Sequence, residues 1–240
     1  MNIVKKIIRK TTGYWVHKLK TLPIGTDLFY DITQRLQYGN LHTVFDIGAN
    51  EGQTVKWIKH HQPHAHIFSF EPVAGTFEKL KHQVSGYPNC RLEQMALGET
   101  RGEKKIKLFS DYSVLNSLNE NAMNHDADAI EEKIVIDTLD NYCKGNNINK
   151  IDLLKVDTEG YELNVLKGAE HMLAQKRISF IYCEVGFNAS NKRNTCFEAL
   201  SHFLEKRDYF FYALYQIDSH DWKAGNHLAN ALFIQKDVFP

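Results

Sequence analysis

Two stretches hold the residues whose types and spacing could do chemistry. In LLKVDTEGYE, Lys155, Asp157 and Glu159 stand at alternate positions where an apolar run ends. In TVFDIGANEG, Asp46 closes a second apolar run, and Gly48 and Gly52 follow it. A carboxylate at the end of a buried strand can take a proton from a reacting hydroxyl, and a positioned general base is worth about 10²–10⁴-fold. Asp157 or Glu159 fits that role, with Lys155 orienting the base or binding the substrate. Lys155 and Asp157 also share one face of their strand. A buried ion pair between them, with Glu159 capping the next helix, therefore fits the same residues. In a third arrangement Asp157, Glu159 and Glu184 hold a divalent metal such as Mg²⁺ through hard oxygen ligands.

These residues must be positioned by alternating strands and helices. Val44, Phe45 and Ile47 form a short run of strand formers, followed by a glycine turn and the helical stretch GQTVKWIKHH. Unbroken apolar runs of this kind are strands buried on both faces of a parallel sheet. Further strands are expected at His66 to Phe70, Cys90 to Ala96, Ile151 to Asp157 and Ile178 to Val185. Helices are expected at Thr76 to Val84, from Thr138 to Tyr142, Glu162 to Gln175 and Cys196 to Lys206. EKKIKLF and EKIVID alternate and read as a β-hairpin with a long polar loop, Ser110 to His125. Tyr209 to Tyr215 and Leu228 to Gln235 follow without an intervening helix, which implies a closing antiparallel pair. The fold class is α/β: a doubly wound, Rossmann-like sheet with helices on both faces and one reversed strand.

The first turn of such a sheet binds a ligand beyond the strand ends. A dinucleotide needs G-x-G-x-x-G, which brings backbone N–H groups to a pyrophosphate. Gly48-Ala49-Asn50-Glu51-Gly52 lacks that spacing, and Asp46 and Glu51 place negative charge where the phosphates would lie. S-adenosylmethionine has no phosphate, and its methionyl ammonium is attracted to an aspartate. Glu71, at the end of the second strand, suits the ribose hydroxyls of either ligand. The glycine spacing and Asp46 thus favour S-adenosylmethionine over a nicotinamide cofactor, and an NAD(P)-dependent oxidoreductase stands as the alternative.

The chain's 240 residues are 43% hydrophobic, enough for one large core, and their net charge of zero gives no electrostatic bias toward nucleic acid. Cys90, Cys143, Cys183 and Cys196 show neither C-x-x-C nor metal-ligand spacing and are expected as reduced thiols of a cytoplasmic protein. No apolar run is long enough to span a bilayer, and none follows the first lysines as a signal peptide would. Residues 1–20 carry six basic residues and no acid. Ile3, Val4, Ile7, Ile8, Thr11, Trp15 and Leu19 fall on one side of a helix, with the lysines opposite. That segment either packs on the domain as a lid or lies on an anionic membrane, at the inner face of the cell membrane. A helical segment 1–40 is therefore expected before a ligand-binding domain 41–240, with Asp27 to Leu36 forming its second helix.

VFDIGANEGQT, FSFEPV, ALGETRG, SVLNSL, TLD and IDLLKVDTEGYELNVLKGAE together resemble the FkbM family of S-adenosylmethionine-dependent methyltransferases, over roughly Leu41 to Gln235. The resemblance implies a class I methyltransferase fold and O-methylation of a hydroxyl on a sugar or natural product. It implies that Asp46, Gly48, Asn50 and Gly52, with Ala49 and Thr54 alongside, line the methionyl part. Glu71 would hold the ribose, and Met95-Ala96-Leu97 would lie near the adenine. Thr158 stands where the family more often has an aliphatic residue, and Phe187 to Arg193 matches less well. Ser113, Asn116 and Ser117 in the hairpin loop offer hydroxyl and amide groups to a sugar. Tyr215 and Trp222 are candidates to stack on it, and His125, His220 and His227 are alternative bases. Asp218, His220 and Asp221 fall in a closing loop that could cover the site. The expected partner is a sugar or small-molecule hydroxyl acceptor, with a lipid-linked one compatible with the basic segment. A non-catalytic, membrane-apposed accessory protein that keeps the fold is the remaining alternative.

Overall fold

Strand β1 (Thr43–Ile47) enters the sheet from a fixed point. The buried carboxylate of Asp152 accepts hydrogen bonds from the backbone N–H of His42 (2.7 Å) and Thr43 (2.9 Å) and from the Tyr38 hydroxyl (2.6 Å). This ties the start of β1 to the start of its neighbour. The computed structural model describes residues 3–14, 16–108, 118, 130–188, 194–221 and 226–238. Among the described residues the strands are β1, β2 (His66–Phe70), β3 (Cys90–Glu93), β4 (Ala96–Leu97), β5 (Gly102–Leu108), β6 (Ile130–Asp137), β7 (Ile151–Val156), β8 (Ile178–Gly186), β9 (Tyr209–Asp221) and β10 (Asn226–Gln235). Seven of them form the main sheet in the order β3-β2-β1-β7-β8-β10-β9. β10 runs antiparallel to both β8 and β9, so it is the one reversed strand.

The order places β1 and β7 side by side at the centre, with Asp46 registered against Lys155. All six residues of β7 are buried, as an apolar run covered on both faces must be. One face packs Phe45, Ile47, Leu154, Val156 and Ile181. The other packs Val44, Leu153, Phe180 and Tyr182 with α3 (Gln53–His61) and α4 (Ala74–Val84). The alternation along β1 is the period-two rule at work, and it sends Asp46 to the α3 side with Val44.

Several boundaries differ from those expected of the sequence. The expected third strand is two: β3 ends at Glu93, and β4 joins a second, three-stranded sheet of order β4-β6-β5. The expected hairpin is the antiparallel β5–β6 pair, and its loop lies outside the described residues except Leu118. The helix expected over 162–175 is broken into α6 (Glu162–Lys167) and α7 (Glu170–Ala174), after α5 (Leu139–Gly145), which is capped by the Thr138 side chain. The break falls at Gly168, which lies against the Gly98 turn after β4; a Cβ there would sit 1.9 Å from the Gly98 carbonyl oxygen. Apolar periodicity carries straight through this position, so the sequence pattern alone hides the break.

The closing strands are longer than expected, since β9 runs to Asp221 and β10 begins at Asn226. Most of the expected closing loop is therefore hairpin. Their pairing carries register shifts, and β9 is an edge strand with Phe210, Phe211 and Ile217 exposed. At the other end, α1 (Ile3–Thr12) stops at Thr12-Gly13, short of the expected Trp15 and Leu19; Trp15 lies outside the described residues. Ile3, Val4 and Ile7 are exposed, so this face is not packed on the body of the domain. The second helix expected before β1 is α2 (Leu28–Tyr30), which continues as one π-helical turn, Asp31–Arg35.

Gly168→Ala is expected to cost about 1–3 kcal/mol, the range for overpacking against a neighbour that cannot yield. Gly75→Ala, in α4 with open space around it, should be neutral or mildly stabilising. Urea denaturation of both variants checks the contrast.

Candidate functional site

At the carboxyl ends of β1, β2 and β7 the chain leaves a cleft with about 770 Å³ of free space, part of it open solvent. Its walls are assembled from four parts of the chain. The turn after β1 supplies Ile47, Gly48 and Asn50, and the end of β2 supplies Phe70, Glu71, Pro72 and Val73. The second sheet adds Ala96, Leu97 and Ile106, with Leu118 beside them. The turn after β7 contributes Asp157, Thr158, Glu159 and Tyr161.

The β1 turn is fixed by backbone contacts. Gly48 and Ala49 N–H both donate to the Phe70 carbonyl at 3.0 Å, and Asp157 N–H donates to the Ile47 carbonyl at 3.0 Å. Gly48 has φ +77°, and a Cβ there would meet the Asp157 carbonyl oxygen at 1.9 Å. Only glycine allows the β1 and β7 turns to close on each other this tightly.

Beneath that turn lies a buried charge row. Lys155 Nζ is 3.3 Å from Asp46 Oδ1 and 3.3 Å from Asp157 Oδ2. Asp46 is wholly buried, and its contact with Lys155 lacks hydrogen-bond geometry, leaving both carboxylate oxygens without a hydrogen-bond partner among the described residues. Burial pushes the Asp46 carboxyl above its ordinary range, with Lys155 opposing. For Lys155, burial disfavours the charge, but Asp157 and Asp46 outweigh it and hold the ammonium protonated.

Glu71 follows β2 with a different environment. Its Oε2 accepts from Asn50 N–H (3.1 Å) and its Oε1 from Val73 N–H (3.0 Å). Burial raises its carboxyl to about 7, because two backbone donors do not fully replace the lost water.

Glu162, at the start of α6, shapes the β7 turn. Its Oε1 accepts from Thr158 N–H (2.7 Å), Thr158 Oγ1 (3.0 Å) and Gly160 N–H (3.1 Å), and its Oε2 accepts from Thr195 Oγ1. Glu159, between the anchored residues, takes φ +54°, a left-handed conformation uncommon outside glycine. The N-cap position of α6 falls to Tyr161 rather than to Glu159, Glu162 gathers the amides of the turn before the helix, and Glu159 lies in the cleft wall. One carboxylate oxygen each from Asp157, Glu159 and Glu184 come within 4.8 Å of one another, a spacing that could hold a metal ion. Glu184 is the one partly exposed residue of β8. Burial and the charges of Asp157, Glu159 and Glu162 raise its carboxyl to about 8, while Asn194 Nδ2 donates to it at 2.9 Å.

Of the residues singled out in the sequence, Gly48, Asn50, Glu71, Ala96, Asp157 and Glu159 line the cleft. Asp46 and Lys155 lie below its floor, while Ala49 belongs to the core and Gly52 abuts Leu80 and Val84 of α4. Thr54, in the first turn of α3, does not line the cleft. Ser113, Asn116, Ser117, His125 and Trp222 lie outside the described residues. Tyr215 is no stacking platform: it is buried, and its hydroxyl donates to Asp31 at 2.7 Å. His220 and Asp218 belong to β9 and His227 to β10, not to a loop. Sequence reasoning missed Tyr161, whose hydroxyl accepts from Lys104 at 3.0 Å, and Glu162. Glu162 carried no capping-box signal, because Thr158 stands four positions before it rather than three.

Removing the cation from the buried row should be costly. Lys155→Met is expected to lose about 3–5 kcal/mol in urea denaturation, and adding Asp46→Asn should restore part of it. Glu71 gives a pH signature. Its carboxyl titrates higher folded than unfolded, so the unfolded chain binds fewer protons between about pH 4.5 and 7. Stability should fall as pH rises through that window, and Glu71→Gln should flatten the slope measured by thermal melts.

The FkbM methyltransferase domain model matches residues 46–211. The 2-O-methyltransferase NoeI of Sinorhizobium fredii is 24% identical over 153 residues, covering 59% of this chain and 62% of that protein, so the match spans less than two thirds of that relative. Methyltransferase sdnD of Sordaria araneosa is 29% identical over 195 residues, covering 68% of this chain and 71% of that protein.

Proposed function

The chain belongs to the FkbM methyltransferase family, and on that premise we propose that it methylates a hydroxyl of a sugar or glycosylated small molecule with S-adenosylmethionine as donor. The observation that carries this reading is one cleft with carboxylates at separate places and apolar surface between them. Glu71 stands at the end of β2, Asp157 and Glu159 at the end of β7, and Phe70, Ala96, Leu97 and Ile106 between. The residues fit the donor. Glu71 already accepts two N–H groups at the cleft and suits two ribose hydroxyls. The apolar surface suits a purine. Asp157 and the charge row beneath Gly48 place carboxylates toward an ammonium. That ammonium meets Asp157 in the wall and Asp46 only from below, where the sequence suggested direct contact with Asp46.

S-adenosylmethionine supplies a methyl group on a sulfonium. What the chain adds is placement and proton transfer. Holding acceptor and donor in line can lower the barrier by several kcal/mol, up to about 7–11 in the best-oriented cases. Glu159, aimed by the turn that Glu162 anchors, takes the proton of the attacking hydroxyl. Burial and the neighbouring carboxylates favour the neutral form of Glu184, which limits the negative charge gathered beside the base. The name of the NoeI relative, a 2-O-methyltransferase, supports oxygen as the acceptor atom; the sugar is what the family resemblance implies. The three-carboxylate grouping supports a second reading, in which Asp157, Glu159 and Glu184 hold Mg²⁺ and chelation abolishes turnover.

Calorimetric titration is expected to show binding of S-adenosylhomocysteine and none of NADH. Above about pH 8, where the Glu71 carboxyl is ionised, Glu71→Gln should weaken the former at least about tenfold, the cost of losing a charged hydrogen-bond acceptor. Glu159→Gln should keep that affinity within about twofold while turnover on a sugar panel falls at least about tenfold. Binding of NADH alone would overturn the donor, full activity of Glu159→Gln the base, and loss of activity in EDTA would favour the metal reading.

A further inference from the structure

The methyl-transfer reading uses nothing before residue 41, yet α1 separates apolar from basic residues more sharply than the described helices α3 and α4 do. At 100° per residue, Ile3, Val4, Ile7, Ile8 and Thr11 occupy one arc of the helix, and Lys5, Lys6 and Lys10 occupy the opposite one. No acidic residue precedes Asp27, and Lys18 and Lys20 extend the positive charge. Ile3 is 74% exposed, Val4 59% and Ile7 56%, so the fold leaves most of the apolar arc in water. Tyr14 and Leu19 are exposed beyond it. The rest of the chain carries the balancing −6, so the charge asymmetry is confined to this end.

We propose that α1 is a docking surface for an anionic lipid bilayer, lying in the plane of the interface with Ile3, Val4 and Ile7 among the acyl chains. Two features select this occupant. An unbroken cationic arc requires an anionic partner, and an aliphatic arc of equal length opposite it requires an apolar one. The headgroup–acyl boundary of an acidic membrane offers both in parallel strips. Nucleic acid would use the lysines and leave the isoleucines in water. Lys5 and Lys10 flank the apolar arc on either side, so their stems can cover it while their ammonium groups reach the phosphates. No described helix is long and apolar enough to cross a membrane, so the contact is one of lying on the surface. It brings the rest of the chain to a lipid face without occupying the cleft.

The test is co-flotation of the full chain with vesicles of phosphatidylcholine alone and with about one quarter phosphatidylglycerol. Binding is expected only to the anionic vesicles, and it should weaken at least about tenfold as salt rises well above physiological strength. Ile3→Asn with Ile7→Asn should lower the partition coefficient at least tenfold, as should Lys5→Glu with Lys6→Glu. Circular dichroism and S-adenosylhomocysteine binding of both double variants should match the parent, which separates this proposal from the methyl-transfer reading. Failure of the parent to float with anionic vesicles overturns it, and so does undiminished flotation of the isoleucine variant. If sedimentation instead finds a lipid-free dimer that Ile3→Asn with Ile7→Asn dissolves, the apolar arc belongs to a second copy and the lipid assignment falls.

Discussion

A single ammonium, Lys155, holds the centre of the molecule together. It sits on the most buried strand, between a carboxylate from the neighbouring strand and one from its own, with almost no water to share its charge. Such a charge is tolerated only where opposite charges meet it, and here the fold brings them by register: Asp46 faces Lys155 across the β1–β7 ladder. The turns that leave these two strands are drawn together directly above it, and they form the floor of the cleft. Charge balance inside the sheet and the shape of the site outside it are one construction.

Around that centre the cleft is walled by contributors of unequal rigidity. The main sheet supplies two turns whose backbones are hydrogen-bonded to each other or to the next strand. The second sheet supplies an apolar wall through Ala96, Leu97 and Ile106, and its own small core rests on Val73. Glu162 performs for the β7 turn what Phe70 does for the β1 turn, gathering backbone donors that would otherwise be left without partners. Glu159 is thereby held in a backbone conformation that costs energy and is kept by its surroundings.

Much of this was legible in the residues. Strands β1, β2, β7 and β8 are unbroken apolar runs, and their helical crossovers follow from periodicity, so the parallel sheet and its ligand-binding end could be read directly. The reversed strand was legible because no helical pattern separates β9 from β10. What the sequence concealed is what distance along the chain cannot encode. Lys155 and Asp157 are neighbours by spacing, but Asp46 joins them only through strand register. The break at Gly168 comes from the approach of Gly98, seventy positions earlier, and leaves no mark on the apolar pattern. Nothing local separates Tyr215, a candidate to stack on a sugar, from a core tyrosine, and its hydroxyl is committed to Asp31 in the interior.

The reversed strand has one more effect. By inserting between β8 and β9, β10 pushes β9 to the rim of the sheet, where it forms an edge ribbon with Phe210, Phe211 and Ile217 exposed. A flat ribbon of that kind is a template on which another chain can add a strand. The offsets in the β9–β10 ladder kink and twist it, so that it offers no long straight stretch for such addition. Register offsets that twist an edge are among the devices that keep edge strands from pairing with another chain.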